Sequence, residues 1–345
     1  MRVLFLVHDF LPAHPAGTEL YTGGVALALR ARGHEVEVFA TEKDIARAHL
    51  SSAQRSWEGI PVHELVNNLF YADFRQTWDY PAAAAAFARV LDERRPDVVH
   101  AMHLMYLSVG CLEEAARRGI PVFFTLHDFW LTCARFGQRL HPDGGLCATV
   151  DFARCGTCLA SFKFAQSPLE RRLAGVVAGV KGATGVDLSR PLRAAGDKLR
   201  GKRADAAAAV EPELAQRFAA LARERSEALR ARAVPCVERF FAPSRFLRER
   251  FLEWGLAPEQ VELLGYGLDL APLAGFVRRP AQELRVTFLG TLAPHKAPHL
   301  VLDALAELAP ELRARVRVTL HGPKAHFPDY VAALERRAAE LGARM

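Results

Sequence analysis

Four cysteines crowd one stretch of the chain, Cys133, Cys147, Cys155 and Cys158, in the spacing C-x13-C-x7-C-x2-C. Thiolates grouped in this way suit a tetrahedral structural zinc ion pinning a long loop, with unliganded or redox-active thiols as the other uses. A redox C-x-x-C would be expected to open a helix after a first strand, whereas this one follows a loop. Cys111 and Cys236 stand alone and read as core residues. His127 ends the apolar run Phe-Phe-Thr-Leu, and His103 follows Val-Val-His-Ala-Met at a second strand end. An imidazole at a strand C-terminus can hydrogen-bond hydroxyls and donate to developing charge; the bland reading is a polar strand cap. Lys296 lies in Leu-Gly-Thr-Leu-Ala-Pro-His-Lys-Ala-Pro, after the Gly290 turn and before a helix start. An ammonium there is placed to neutralise a phosphate leaving group, or else is a solvated loop lysine. Gly17 precedes another helix start, where free N–H groups and the helix dipole favour an anion.

The elements that must position these residues are legible from periodicity. Residues 2–7 and 35–41 are apolar strands, and Glu19 to Arg32 between them has helical spacing that stops at Gly33. Strand, helix and strand within about 40 residues make a βαβ unit and require a parallel sheet. The pattern recurs with strands at 97–100, 120–126 and 240–242 and helices at 112–118 and 244–254, the last opened by Ser244 as N-cap. Ala/Arg-rich helices fill 205–233, where Leu214, Phe218 and Leu221 form a stripe expected to pack in the core. A second cycle begins late, with strands at 284–289 and 316–320 and helices at 298–308 and 330–341. Gly265-Tyr-Gly-Leu-Asp269 and the Pro/Gly-bearing stretch to Pro280 form the predicted hinge. The expected division is 1–272, with a cysteine loop at 131–160 and a basic helical insert at 161–233, and 273–345. Two strands do not complete a doubly wound sheet, so the second domain is expected to be partial.

The totals exclude several classes. The chain has 345 residues, half of them hydrophobic and a quarter charged, which fits two globular α/β domains. The first apolar run breaks at His8, too soon for a signal peptide, and no run of about 18 apolar residues occurs. Between Ser161 and Arg203 ten Lys/Arg face three Asp/Glu, a local +7, so the net +6 arises wholly in that segment and the remainder sums to −1. Such local charge predicts a local anionic partner rather than nucleic acid. Leu169, Leu173, Val176, Val177 and Val180 share one helical face there and are expected to pack on their own domain, an anionic membrane surface being the alternative. There is no G-x-G-x-x-G, P-loop, H-E-x-x-H, nucleophile elbow or D-x-D.

These stretches, in order, resemble the family-4 group of retaining glycosyltransferases over almost the whole chain. The matching residues are Ala16-Gly-Thr-Glu-Leu-Tyr with Arg32-Gly-His-Glu-Val, Pro96-Asp-Val-Val-His and Pro121 to Leu131. They continue with Ala242-Pro-Ser-Arg-Phe-Leu, Gly265-Tyr-Gly-Leu-Asp and Phe288-Leu-Gly-Thr-Leu-Ala-Pro-His-Lys. The cysteine-bearing loop looks like that of a subset of the group.

The resemblance implies an α/β GT-B architecture of two Rossmann-like doubly wound domains, the second incomplete. The N-terminal domain would take the acceptor and the C-terminal one the nucleotide sugar. It further implies transfer of a sugar from a nucleotide diphosphate donor, with anomeric retention and no metal in the transfer step. His127 would contact the transferred sugar; His103, placed at the same sheet edge by its strand-end position, is expected on the acceptor side. Gly17, Gly290, Thr291 and Lys296 would hold the donor, Lys296 on its phosphates. Thr291 stands where many members have arginine, Ala297 replaces the usual glycine, and the family's Glu-x7-Glu motif does not occur after Leu320. Glu335 and Glu340 have the wrong spacing for it. A glycan or lipid-linked acceptor and a cytoplasmic setting, peripheral at the inner membrane face, complete the expectation. The alternatives are a nucleotide-sugar-binding protein without transfer and a GT-B-like epimerase.

Overall fold

The computed structural model describes residues 1–185, 210–277, 281–325 and 327–345. Residues 186–203 of the basic segment, and the start of the Ala/Arg-rich helices at 205–209, lie outside them. The chain divides into two compact units, Met1–Asp269 and Leu270–Met345.

In the first unit β1 (Arg2–Val7) is buried along its length after Arg2, as a strand covered on both faces must be. It pairs in parallel with β2 (Glu35–Glu42) on one side and β5 (Val98–Ala101) on the other, and α1 (Gly17–Ala31) makes the first crossover. The sheet also contains β3 (Ser52–Trp57), β4 (Ile60–Val66), β6 (Val122–Thr125), β7 (Arg239–Ala242) and β8 (Val261–Leu263). The order is β3-β4-β2-β1-β5-β6-β7-β8, and only β3 is antiparallel. The chain therefore winds outward in both directions from β1, and the ends of β1 and β5 flank the switch point. Alternation along β1 sorts its side chains between two cores. Val3, Phe5 and Val7 pack with Ala26 of α1, while Leu4 and Leu6 join Phe87 and Leu91 of α2 (Pro81–Arg94).

The β3–β4 hairpin was not among the predicted elements, because Ser-Ala-Gln-Arg-Ser-Trp lacks apolar alternation. Its turn residues Glu58 and Gly59 both have positive φ, as a two-residue hairpin turn requires. The remaining helices are α3 (Gly110–Arg117), α4 (Phe152–Ala160), α5 (Pro168–Thr184), α6 (Pro212–Ala233) and α7 (Arg245–Trp254). Ser244 caps α7 as its residue type predicts, its Oγ accepting the Leu247 N–H at 3.2 Å.

α4 lies directly on α6, and Gly156 makes that approach possible. A Cβ there would stand 2.2 Å from the Ala215 carbonyl oxygen and 3.0 Å from Ala219 Cβ. Gly156→Ala is expected to force the helices apart and cost about 1–3 kcal/mol. Chemical denaturation would detect it as a lower midpoint; an unchanged midpoint would mean that α4 can shift freely on α6.

On β5, His100 is enclosed by the rings of Phe5, Phe123 and Phe241, with Nε2 bonded to Thr125 Oγ1 at 2.9 Å. Burial pushes its pKa down to about 4. Below about pH 6.5 the unfolded chain then binds a proton that the folded chain refuses, so stability falls with falling pH until the folded pKa is reached. The loss attributable to this one residue reaches roughly 2 kcal/mol at pH 5. His100→Phe should therefore gain about that much on wild type between pH 7 and pH 5. Stability curves that stay parallel across that range would show that His100 titrates normally.

Two apolar stripes pack only in part. On α6, Phe218 and Leu221 join Phe74 and Leu159 in a small cluster, but Leu214 is exposed. On α5 the buried residues are Ala174 and Val177, whereas Leu169, Leu173 and Val176 face outward, at 66%, 49% and 63% exposure. The expected full packing of that face is thus incomplete. Among the described residues no helix is long and apolar enough to cross a membrane.

The second unit contains β9 (Leu284–Leu289), α8 (Pro298–Ala306), α9 (Pro310–Arg313), β10 (Val316–His321) and α10 (Pro328–Leu341). β9 and β10 pair in parallel, and Leu302, Leu305, Val318, Leu320, Val331 and Leu334 form the core. Among the described residues its sheet has the two strands that periodicity predicts. Glu335 and Glu340 are engaged by Lys324 and Arg337, as surface residues of α10.

Candidate functional site

The C-terminal ends of four parallel strands bring polar residues together in the first unit, where open α/β sheets place their ligands. β1 delivers His8 and Asp9, β2 delivers Glu42 and Lys43, β5 delivers His103, and β6 delivers His127 and Asp128.

His127 has one nitrogen committed and one free. Its Nδ1 is 2.7 Å from the Tyr266 hydroxyl, the two rings stack at 5.3 Å, and Tyr21 of α1 approaches edge-on at 5.5 Å. Its Nε2 is shielded and has no hydrogen-bond partner among the described residues. Burial first, and then the neighbouring His103, push its pKa down to about 3, so the imidazole is neutral at physiological pH.

His103 and Asp128 form a pair behind it. The Met105 N–H donates to His103 Nδ1 at 3.0 Å, which leaves Nε2–H to donate to Asp128 Oδ2 at 3.1 Å. Asp128 Oδ1 also accepts the Trp130 N–H at 2.7 Å. Burial alone would raise the Asp128 pKa, but His103 and the Trp130 amide outweigh it and hold the carboxylate below its usual range. The loop after β6 closes over this carboxylate at Gly137, which has φ +72 and where a Cβ would stand 2.6 Å from Asp128 Oδ1.

The His8 ring lies tilted against that of His103, their centroids 4.4 Å apart, and its Nε2 lies 3.3 Å from Glu19 Oε1 in the first turn of α1. That contact is not aligned as a hydrogen bond, and both Glu19 oxygens lack a hydrogen-bond partner among the described residues. Burial raises the Glu19 pKa and drives that of His8 well below its ordinary value, in each case against the charged form. Asp9 is likewise raised by burial, although Lys43 lies 3.3 Å away. Buried carboxyl groups without partners are positions where ligand hydroxyls can complete the hydrogen bonding.

The sequence-predicted residues fall into three groups. His103 and His127 meet through Asp128, and Gly17 lies at the N-terminus of the helix that carries Glu19 and Tyr21. The Ala16 N-cap offers no side-chain acceptor to the first-turn amides, and a Cβ at Gly17 would meet nothing within 4 Å. Gly290, Thr291 and Lys296 belong to the second unit, where Lys296 ends an exposed 3-10 turn, Pro294–Lys296. Among the described residues no carboxylate lies within ion-pair distance of it. Ala297, with φ +52, occupies the left-handed region that glycine enters without a Cβ penalty. The third group, Cys133, Cys147, Cys155 and Cys158, lines one cavity with no disulfide among them. Burial raises the last three thiols, Cys155 to about 12. Cys111 is buried in the main core, and Cys236 packs at its edge.

Sequence reasoning did not single out His8, Glu19, Tyr21, Asp128 or Tyr266. The rule that placed His103 and His127 at strand ends applies equally to His8 and Asp128, their neighbours at such ends. Tyr266 lies in the stretch read as a hinge, and only tertiary packing brings it to His127.

A model of the glycosyl transferase 4-like domain matches residues 16–267, so the chain belongs to that family. Among solved structures it is similar to the trehalose-6-phosphate synthase OtsA, with 12% identity and a TM-score of 0.51 over 99% of this chain and 70% of that one. It is also similar to sucrose-phosphate synthase from Thermosynechococcus elongatus, with 13% identity and a TM-score of 0.50 over 99% and 68%. At these identities the likeness is one of fold: an α/β GT-B fold over part of its length. HepE of Anabaena, solved with UDP and glucose, is matched at 18% identity and a TM-score of 0.48, over 99% of this chain and 66% of that one. The chain thus spans about two thirds of that relative's length. No curated protein sequence matches it significantly.

Proposed function

We propose that this chain takes part in transferring a sugar from a nucleotide diphosphate sugar to a glycan or lipid-linked acceptor, with retention and without a metal in the transfer step. The observation that carries the reading is His127, a neutral imidazole with a free Nε2 at the end of β6 in a chain of this family. Nε2 would contact the transferred sugar, and His103 with its Asp128 partner would line the acceptor side. Gly17, Gly290 and Thr291 would approach the donor diphosphate, and Lys296 would neutralise it as it departs. Attack by the acceptor hydroxyl on the face the diphosphate leaves preserves the anomeric configuration and needs no protein nucleophile. The donor's bond to the diphosphate breaks, the acceptor oxygen forms the new bond, and its proton passes to the departing phosphate. The exposed Leu169, Leu173 and Val176 with Arg172 would give the chain a peripheral hold on an anionic membrane; salt-insensitive vesicle binding would argue against that contact.

Calorimetry against a panel of uridine, guanosine and adenosine diphosphate sugars tests donor binding, and the product's anomeric coupling constant tests retention. A folded chain that gives no heat with any donor would sink the proposal. Binding without nucleoside diphosphate release in the presence of acceptor extracts would favour a binding protein.

A further inference from the structure

The cysteine loop holds a feature that sugar transfer does not use. Cys133, Cys147, Cys155 and Cys158 all line one cavity of about 30 Å³, room for a single water molecule or ion. Cys133 enters from the start of the loop after β6 and Cys147 from beyond its Leu140–Leu146 bridge. Cys155 and Cys158 come from one face of α4, whose N-cap Asp151 holds the helix start through the Ala153 and Arg154 amides. Among the described residues no three ligand-type side chains already stand at metal-binding distances, so side-chain rotation on the cavity wall must complete any such site.

A second observation shows what charge the cavity wants. Arg139 lines it, and Arg225 of α6 lines an adjoining cavity that shares Ala134 with it; they are 8% and 2% exposed. Neither has a carboxylate at ion-pair distance among the described residues. Arg139 donates to the Ala148 carbonyl and Thr132 Oγ1 and leaves Nε unpartnered. Arg225 donates to the Trp130 and Leu131 carbonyls and stacks on Trp130. Burying two guanidiniums against neutral acceptors alone is costly. Neutral thiols do not offset that charge, whereas thiolates do.

We propose that Cys133, Cys147, Cys155 and Cys158 bind one zinc ion in tetrahedral thiolate coordination, with Arg139 and Arg225 balancing the charge of the centre. Four thiolates on Zn²⁺ carry a net charge of −2, which the two buried guanidiniums offset together with Arg135, also on the cavity wall with Nη1 3.9 Å from Cys158 Sγ. The four thiol protons pass to solvent on binding. The ion ties the loop after β6, which covers Asp128 at Gly137, to α4 and through it to α6. The role is structural, because all four coordination positions are filled by protein.

The test is metal analysis of the full chain purified under reducing conditions without chelator. About one zinc per chain is expected, released when a mercurial titrates the thiols. Cobalt added to the stripped chain should give the charge-transfer absorption of thiolate ligation. Cys155→Ser and Cys147→Ser should each lose the zinc, while Cys111→Ser keeps it. A chain without zinc that also gives no cobalt–thiolate band overturns the proposal, whatever the variants do. So does iron with acid-labile sulfide, a Cys155–Cys158 disulfide in place of metal, or full zinc retention in the Cys155→Ser protein.

Discussion

Replacing His127 with Ala is expected to lower kcat/KM for sugar transfer roughly a hundred- to a thousandfold, the usual cost of removing one preorganised polar contact from a reacting centre. The side chain lies outside the apolar clusters that hold the sheet, so the variant should fold with little change in stability. Tyr266→Phe should give a smaller loss, since it leaves the imidazole in place but removes the hydroxyl that fixes Nδ1. Its signature would be partial activity with unchanged folding, as befits a positioning residue. The imidazole stays neutral until about pH 3, so no limb of the pH–rate profile between pH 5 and 8 should disappear in His127→Asn. Steady-state kinetics on the two His127 variants and on Tyr266→Phe decide the matter. Turnover within twofold of wild type in His127→Ala would remove this residue from the mechanism.

The strands and helices of the first unit were legible wherever burial was two-sided or periodic. β1, β2, β6, α1 and α7 follow from apolar runs, a Ser cap and a Gly stop. β3 was invisible, because an edge strand with one exposed face carries little apolar signal. α2 escaped because alanine marks neither face of a helix strongly. Within the site, strand-end position found His103 and His127, since topology alone places such residues at the crevice. Glu19 and Tyr266 were beyond that rule. A carboxylate in the first turn of a helix normally faces solvent, and nothing local in Thr-Glu-Leu-Tyr says that this one turns inward to 1% exposure beside His8. Likewise, the pairing of β8 with β7, the neighbour of β6, brings Tyr266 onto His127 across 139 positions of sequence. The cysteine spacing announced a cluster. That Arg139 and Arg225 would lie buried near it with no carboxylate partner among the described residues is a property of the packed chain.

Lys296→Ala is expected to cost about 2–4 kcal/mol of transition-state stabilisation, roughly a thirty- to a thousandfold fall in kcat/KM. Lys296 is exposed at the end of its 3-10 turn, one residue before the left-handed Ala297 and two before the start of α8. By contrast, Lys324 in the same unit is bonded to Glu335 at 2.6 Å. A solvated lysine contributes little to stability, and Lys296 has no carboxylate at ion-pair distance among the described residues, so Lys296→Ala should leave the denaturation midpoint within error. Activity is where its charge would count, because a departing diphosphate gains negative charge in the transition state. Loss confined to kcat would mean that the ammonium acts mainly on that developing charge, and loss confined to KM would mean equal contact with the bound donor. Lys296→Arg, which keeps the charge but changes its shape, should recover part of the loss. Equal kinetics for Lys296→Ala and wild type, measured with a donor that binds both, would leave the diphosphate to backbone amides alone.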